Sequence, residues 1–101
     1  MNLKLNYSYS EGQGGRVYAA AVFSNPSGLD VRDIEQLLLT RLVCGLHFRP
    51  TEWNVPLSWN LIEDESMMAD FDGIEETWKE ANAGSIDELL CLVPVIERKA
   101  A

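Results

Sequence analysis

The sequence is poor in the residues from which most catalytic and metal sites are built. It contains one histidine and two cysteines, and the cysteines, Cys44 and Cys91, lie far apart outside any CxxC or Cys/His cluster. A zinc or other thiolate site therefore has little support. Isolated cysteines of a cytoplasmic domain are most often small buried hydrophobic residues, so we expect both side chains to be buried. A disulfide between them would require the two helices predicted to carry them to pack side by side.

Long apolar runs are also missing. No stretch approaches the roughly 20 apolar residues that span a bilayer, and residues 1–10 lack the continuous apolar segment of a signal peptide. We therefore expect a cytoplasmic protein with no membrane association. With 101 residues, 47% of them hydrophobic, and no visible linker or repeat, the chain is predicted to form one compact domain over 1–101, with about 97–101 as a frayed tail.

Basic residues are scarce in the last third of the chain, and this absence shapes the charge pattern. Residues 1–62 have no net charge, whereas residues 63–101 carry eleven acids against three bases and thus the whole net charge of −8. Such a surface repels nucleic acid and attracts basic partners over a long range. Direct nucleic-acid binding is therefore disfavoured.

Two strand patterns open the chain. Four apolar residues, Leu3, Leu5, Tyr7 and Tyr9, alternate with polar ones, and this period of two predicts a half-buried strand. Residues 16–23 are apolar after the first, which predicts a covered strand. The glycine-rich loop over 11–15 makes an antiparallel hairpin the simplest connection. This loop is not a phosphate cradle, because it leads into a strand and lacks the following Lys-Ser/Thr.

The clearest helical pattern covers residues 30–45. Apolar residues recur at steps of three and four and form one stripe, Val31, Ile34, Leu37, Leu38 and Leu42. Asp30 is placed to cap the first turn, and Gly45 is placed to end the helix in a left-handed conformation. Arg41 falls within the stripe, so its guanidinium must reach the edge of the core or pair with a carboxylate.

The second half of the chain is harder to assign. Pro50 and Pro56 exclude a regular helix between them, so we expect a mostly extended connection with a short edge strand near 57–62. Residues 63–82 fit either a helix or a strand, and apolar steps of four and three favour a helix interrupted near Gly73. Ser85 and Glu88 match a capping box, which predicts a short helix that ends before Pro94.

Together these patterns predict an α+β fold. An N-terminal antiparallel β-hairpin is expected to pack on the central amphipathic helix, with further short strands and short C-terminal helical elements. No resemblance to a known family is recognised in the sequence.

The acidic segment is the first candidate site. Tryptophan surrounded by charge is typical of a protein-binding hot spot, so we hypothesise a partner-binding surface that consists of Glu63, Asp64, Glu65, Asp70, Phe71, Asp72, Glu75, Glu76 and Trp78. A merely solvated acidic face is the simpler alternative. A divalent-metal site is a third, but calcium loops need ligands in a register absent here, and two-metal sites need basic residues nearby. We predict no metal and no cofactor.

A pocket around the single histidine is the second candidate site. It would consist of His47, Arg49, Glu52, Trp53 and Trp59. A catalytic histidine needs an orienting partner and a substrate group within hydrogen-bond reach, whereas a surface histidine just past a helix needs neither. We assign no catalytic residue. A small-ligand-binding domain or an enzyme with this pocket stays open as an alternative.

The sequence therefore favours a small, acidic, cytoplasmic and non-enzymatic binding protein. It would engage a basic protein through the surface of residues 63–80, in an inhibitor, immunity-type or nucleic-acid-mimic role. A further alternative is a homodimeric structural or interaction module, in which the second strand or the tryptophan-containing segment pairs across a two-fold axis.

Overall fold

A four-stranded antiparallel sheet organises the chain, and the predicted α+β class is confirmed. The structure, a computed structural model, describes residues 1–10, 15–53, 55, 68–93 and 95. The elements in order are β1 (Asn2–Ser10), β2 (Arg16–Phe23), α1 (Val31–Leu39), β3 (His47–Phe48), α2 (Pro50–Trp53), β4 (Ala69–Thr77) and α3 (Ile86–Leu92). The strands are arranged in the order β2-β1-β4-β3.

The first strand runs through the middle of the sheet. It pairs with β2 in unbroken register from Leu3 opposite Phe23 to Ser10 opposite Arg16. Its alternating apolar side chains, from Leu3 to Tyr9, are at most 3% exposed and form the centre of the core. The period of two therefore identified the buried face correctly. The loop expected at 11–15 lies outside the described residues except for Gly15.

The acidic segment forms a strand, so the helix favoured for 63–82 is wrong wherever the structure describes this segment. Residues 69–77 are β4, which pairs with β1 on one side and with β3 on the other. The spacing that suggested a helix has a specific cause. The register shifts by one residue opposite Asn6 and Tyr7, and this β-bulge lets Phe71 and Ile74, three residues apart, both contact the core. Gly73 adopts φ +124° there, which only glycine adopts easily.

The central helix is shorter than its sequence pattern. Asp30 caps it as predicted, by accepting a hydrogen bond from the Arg32 amide (2.8 Å), but the helix ends at Leu39 with Thr40 as its C-cap. Gly45 has the expected left-handed conformation, yet it belongs to the turn that leads into β3. The helix buries Ile34 and Leu38 and lies against β4, so the expected packing of the hairpin on this helix is not confirmed.

The proline-containing segment begins with a turn of helix instead of extended chain. Pro50 occupies the first position of α2, where proline is tolerated because the amide hydrogen of that position has no helical partner. Trp53, 1% exposed, stacks on Phe48 with ring centroids 4.4 Å apart. The short strand expected near 57–62 lies outside the described residues, as does the predicted tail.

The last helix begins where the capping pattern predicted. The Ser85 hydroxyl accepts a hydrogen bond from the Glu88 amide at 3.1 Å, and α3 then buries Ile86 and Leu89 in the same core. Arg41 pairs with no carboxylate among the described residues. Its guanidinium donates to the carbonyls of Leu90 (3.2 Å) and Val93 (2.9 Å), which satisfies acceptors left free at the end of α3.

Both cysteines are exposed free thiols, so the expectation that they are buried is wrong. Cys44 lies in the turn before β3 with φ +54°, outside any helix, and Cys91 lies on α3 next to the exposed Leu92. No helix in the described part of the chain is long and apolar enough to cross a membrane.

Candidate functional site

The sheet has one face packed on the helices and one face that no described helix covers. The buried side chains of α1 and α3 belong to the same core as the odd-numbered side chains of β1 and β2. The even-numbered side chains of these strands therefore point to the opposite face of the sheet. A row of polar residues crosses this uncovered face with one member from each strand, Arg16 on β2, Ser8 on β1, Asp70 on β4 and His47 on β3. Strand pairing brings together residues that lie up to 62 positions apart.

Arg16 and His47 share the carboxylate of Asp70. His47 Nδ1 lies 2.6 Å from Asp70 Oδ1, and Arg16 Nη2 donates to Asp70 Oδ2 and to Ser8 Oγ, the latter at 2.8 Å. Ser8 is 1% exposed, whereas the side chains of the other three are 38–41% exposed. The carboxylate is therefore held from both sides at the edge of solvent.

These contacts set the protonation of Asp70. Partial burial alone would raise its pKa, but the hydrogen bonds from His47 and Arg16, and their charges, outweigh that cost and lower the pKa below its ordinary value of 3.8. On the core face, burial and the neighbouring Tyr9 raise the pKa of Tyr7 to about 12. Asp70 is consequently ionised at neutral pH, and Tyr7 is neutral.

The row contains the side chains of a catalytic triad in an order that does not form one. A nucleophilic serine needs the imidazole against its own hydroxyl, with the carboxylate behind the imidazole. Here Asp70 lies between Ser8 and His47, and two strand spacings, about 10 Å, separate the serine and histidine strands. The hydrogen bonds and ion pairs of this row can stabilise the pairing of the four strands. They cannot activate the Ser8 hydroxyl through the His47 imidazole.

The predicted acidic and aromatic site is split by the structure. Asp70 is paired as described, and Phe71 packs against the core, although both residues are partly exposed. Asp72, Glu75 and Glu76 are exposed. Glu63, Asp64 and Glu65 lie outside the described residues.

Trp78 is the most exposed large apolar side chain in the described part of the chain. It follows the last residue of β4 directly and is 86% exposed. Lys4 contacts Glu75 at 3.7 Å across the strand pair, but both side chains remain open to water, so this ion pair is weak. From the bulge onward, β4 and the residue that follows it therefore present three acids and one tryptophan to solvent.

The alternative pocket is also divided. Arg49, Glu52 and Trp53 do line a common depression of about 240 Å³, whose wall includes Arg41 and Phe48. His47 does not line it, because consecutive residues of a strand point to opposite faces and Phe48 is the one that points inward. Trp53 is a core residue, and Trp59 lies outside the described residues. The structure thus separates the histidine from the residues expected to surround it.

Sequence reasoning missed both the polar row and a second depression on the same uncovered face. The depression, about 450 Å³ in volume, is lined by Lys4, Asn6, Tyr18, Ala20 and Asp72 together with two further residues of β1 and β2. The alternation of β1 placed Lys4 and Asn6 on this face. Their neighbours on β4 became visible only once that segment was known to be a strand. No group of three histidine, cysteine or acidic residues in the described ranges could hold a metal ion.

Comparisons with known proteins were made at the level of family, sequence and structure. The chain matches no protein-family model, no curated protein and no solved structure. Function must therefore be inferred from the surfaces themselves.

Proposed function

We propose that this chain is a small acidic, non-enzymatic binding protein that engages a basic protein partner through the exposed end of β4. The proposed contact surface consists of Asp72, Glu75, Glu76 and Trp78, and it includes both faces of β4 because the consecutive residues Glu75 and Glu76 point to opposite faces of the strand. The observation that carries the proposal is the 86% exposure of Trp78 two residues after Glu76 and three after Glu75, both of which are exposed. A folded chain gains nothing from a tryptophan held in water, whereas a complex can bury it.

The energetics of such a contact are favourable. Burial of an aromatic side chain removes roughly 150–250 Å² of surface from water, which is worth on the order of 4 kcal/mol at about 25 cal/mol per Å² before the cost of association. The flanking acids supply a complementary field for a basic surface and accelerate encounter. Trp78 is thus the proposed anchor, and the acids are the proposed source of specificity and rate.

The proposed surface differs in emphasis from the set of residues that the sequence suggests. Asp70 and Phe71, which the sequence-based hypothesis also includes, are given a smaller part in the proposed surface because Asp70 is paired with Arg16 and His47 and Phe71 is partly buried against the core. Glu63, Asp64 and Glu65 stay in the proposal from sequence alone. A cytoplasmic location and an inhibitor, immunity-type or nucleic-acid-mimic role are likewise proposals that rest on composition and charge.

Binding to a basic partner is tested by affinity capture from the native lysate at low salt, followed by titration of the purified partner. The test variants are Trp78→Ala and the triple change Asp72→Asn, Glu75→Gln and Glu76→Gln. The matched control removes the same charge elsewhere through Asp33→Asn, Glu35→Gln and Glu52→Gln. We expect both test variants to lose at least about tenfold in affinity, or 1.4 kcal/mol, and the control to bind nearly as the wild type does. Equal losses of affinity in the two triple variants would show that the interaction depends only on net charge. This result would refute the proposed surface.

A further inference from the structure

The outer edge of β2 is only half covered. At its C-terminal end the Val22 amide donates to Asn82 Oδ1 (2.9 Å), and the Val22 carbonyl accepts from the amides of Asn82 and Ala83 (2.9 and 3.1 Å). The Ser24 amide and carbonyl similarly bond to Gly84 and Ile86. Residues 82–86 therefore act as a short cover over residues 22–24 of this edge.

The remainder of the edge has no such cover from the residues that the structure describes. Because backbone groups in a strand alternate in direction, residues that share the parity of Val22 point their amides and carbonyls away from β1. These are Arg16, Tyr18 and Ala20. None of the three bonds through its backbone to a residue beyond β1 in the described part of the chain. The edge thus presents three consecutive outward donor and acceptor pairs.

The devices that usually protect an edge strand are missing from this stretch. Residues 17–21 contain no proline and no charge, and their register with β1 is continuous, so no bulge twists the edge away. The one charged residue, Arg16, directs its guanidinium inward to Ser8 and Asp70. Tyr18, at the middle of the three, is 76% exposed.

We infer that a second copy of this chain pairs its own β2 with this edge, antiparallel, across a two-fold axis at Tyr18. This register sets Tyr18 opposite its own counterpart and Arg16 opposite Ala20 of the other copy. It uses all three outward pairs, about six hydrogen bonds, and does not compete with residues 82–86 for Val22. A shift of the axis toward Ala20 would bring Val22 into the pairing and lose bonds that it already makes.

The charges near the β2 edge are compatible with self-association there. No like charges face each other in the register, since Arg16 meets Ala20. The acids of β4 lie two strand spacings from β2 in each copy, so five spacings, about 24 Å, separate the acids of the two copies, well beyond the screening length of about 8 Å at physiological salt. A cross-strand tyrosine pair adds a favourable contact at the axis. A second copy is therefore the occupant that this edge fits.

Cysteine cross-linking tests the register directly. In a background of Cys44→Ser and Cys91→Ser, the variant Tyr18→Cys places its two sulfur-bearing residues opposite each other, within disulfide reach. The matched variant Ala20→Cys places them four residues out of step, about 13 Å apart along the strands. We expect rapid disulfide dimer formation for Tyr18→Cys and at least about tenfold slower formation for Ala20→Cys. Equal rates of disulfide formation in the two variants would show that the dimers form by random collision. This result would overturn the proposed register.

Sedimentation of the unmodified chain tests the dimer itself. We expect the mass to rise with concentration from 11.3 kDa toward twice that value. Ala20→Pro should abolish the rise, because proline removes an outward amide that β1 does not use. Circular dichroism of this variant confirms that the sheet is retained. A monomer at every concentration up to about 0.5 mM, where an affinity of 0.1 mM would be visible, overturns the inference, as does a dimer that a folded Ala20→Pro variant leaves intact.

Discussion

His47 on β3 and Asp70 on β4 are directly opposed in the sheet, and 2.6 Å separates the imidazole Nδ1 from the carboxylate Oδ1. Arg16, from the far edge strand, holds the other oxygen of the same carboxylate. One acid thus connects side chains of both edge strands across β1. Its negative charge is compensated within the chain, so the charge available to a partner comes from the other acids of β4.

This arrangement predicts an acid-sensitive contribution to stability. The pKa of Asp70 is lowered in the folded chain, so the contribution is fully present above the ordinary value near 4 and is lost as the pH falls through the lower folded pKa. Asp70→Asn should lower the free energy of unfolding at pH 7 by about 1 kcal/mol or less, because solvent screens groups more than a third exposed. Urea denaturation at a series of pH values should show the wild type and the variant converging in strong acid.

The matched control for this pH series is Asp72→Asn. Asp72 is exposed two residues away and forms no ion pair with a described residue. Its stability curve should run parallel to that of the wild type. A pH dependence that Asp70→Asn leaves unchanged would show that the row contributes nothing to the fold.

The two described tryptophans should behave in opposite ways. Trp53→Ala removes a side chain that is 1% exposed and stacked on Phe48, and we expect a loss of about 3–5 kcal/mol in the free energy of unfolding. Trp78→Ala removes a side chain in solvent and should change this free energy by no more than about 0.5 kcal/mol. Chemical denaturation distinguishes these outcomes. A large loss for Trp78→Ala would assign Trp78 to the fold and remove it as a binding anchor.

Arg41 is expected to stabilise the contact between the region after α1 and the end of α3. Arg41→Met keeps most of the apolar stem but deletes the donors to the carbonyls of Leu90 and Val93. We expect a loss of about 1–2 kcal/mol by thermal or urea unfolding. Arg32→Met is the control, because Arg32 is exposed and its side chain contacts no described partner. Similar changes in the free energy of unfolding of both variants would mean that the Arg41 hydrogen bonds do not contribute measurably to stability.

Local patterns in the sequence predicted the parts of the fold that local physics decides. Alternation in β1 identified its buried face, and Asp30 and Ser85 marked the true starts of α1 and α3, since a helix cap depends on neighbours within a few residues. The end of α1 was misplaced because apolar residues continue at helical spacing after the helix stops. Leu42 is buried, but it lies in the turn after α1 and not in the helix.

Features that depend on long-range pairing could not be predicted. Phe71 and Ile74 are three residues apart, a helical step, and only the bulge opposite β1 makes that step compatible with a strand. His47 and Asp70 are 23 positions apart and meet only because β3 pairs with β4. The polar row could not be predicted from the sequence for this reason, because each of its members looks like an ordinary polar residue there.

Gly73 gives a direct test of the bulge. A Cβ at this position would meet no atom within 4 Å, so space is not limiting, but φ is +124°. Gly73→Ala should therefore cost about 1–3 kcal/mol from backbone strain alone. Gly28→Ala also has room, at φ +63°, and should cost less because alanine enters the ordinary left-handed region at about 1–2 kcal/mol. Equal stability of Gly73→Ala and the wild type, by urea denaturation, would show that the bulge is absent in solution.

The most direct test of the central claim is the affinity of the captured basic partner for Trp78→Ala, measured by calorimetry at low and physiological salt. Unchanged unfolding together with an affinity reduced at least about tenfold, 1.4 kcal/mol, at both salt concentrations is the predicted result, because the lost term is apolar burial and not charge. An affinity equal to that of the wild type would contradict the account, and so would the failure of any basic protein to bind at low salt.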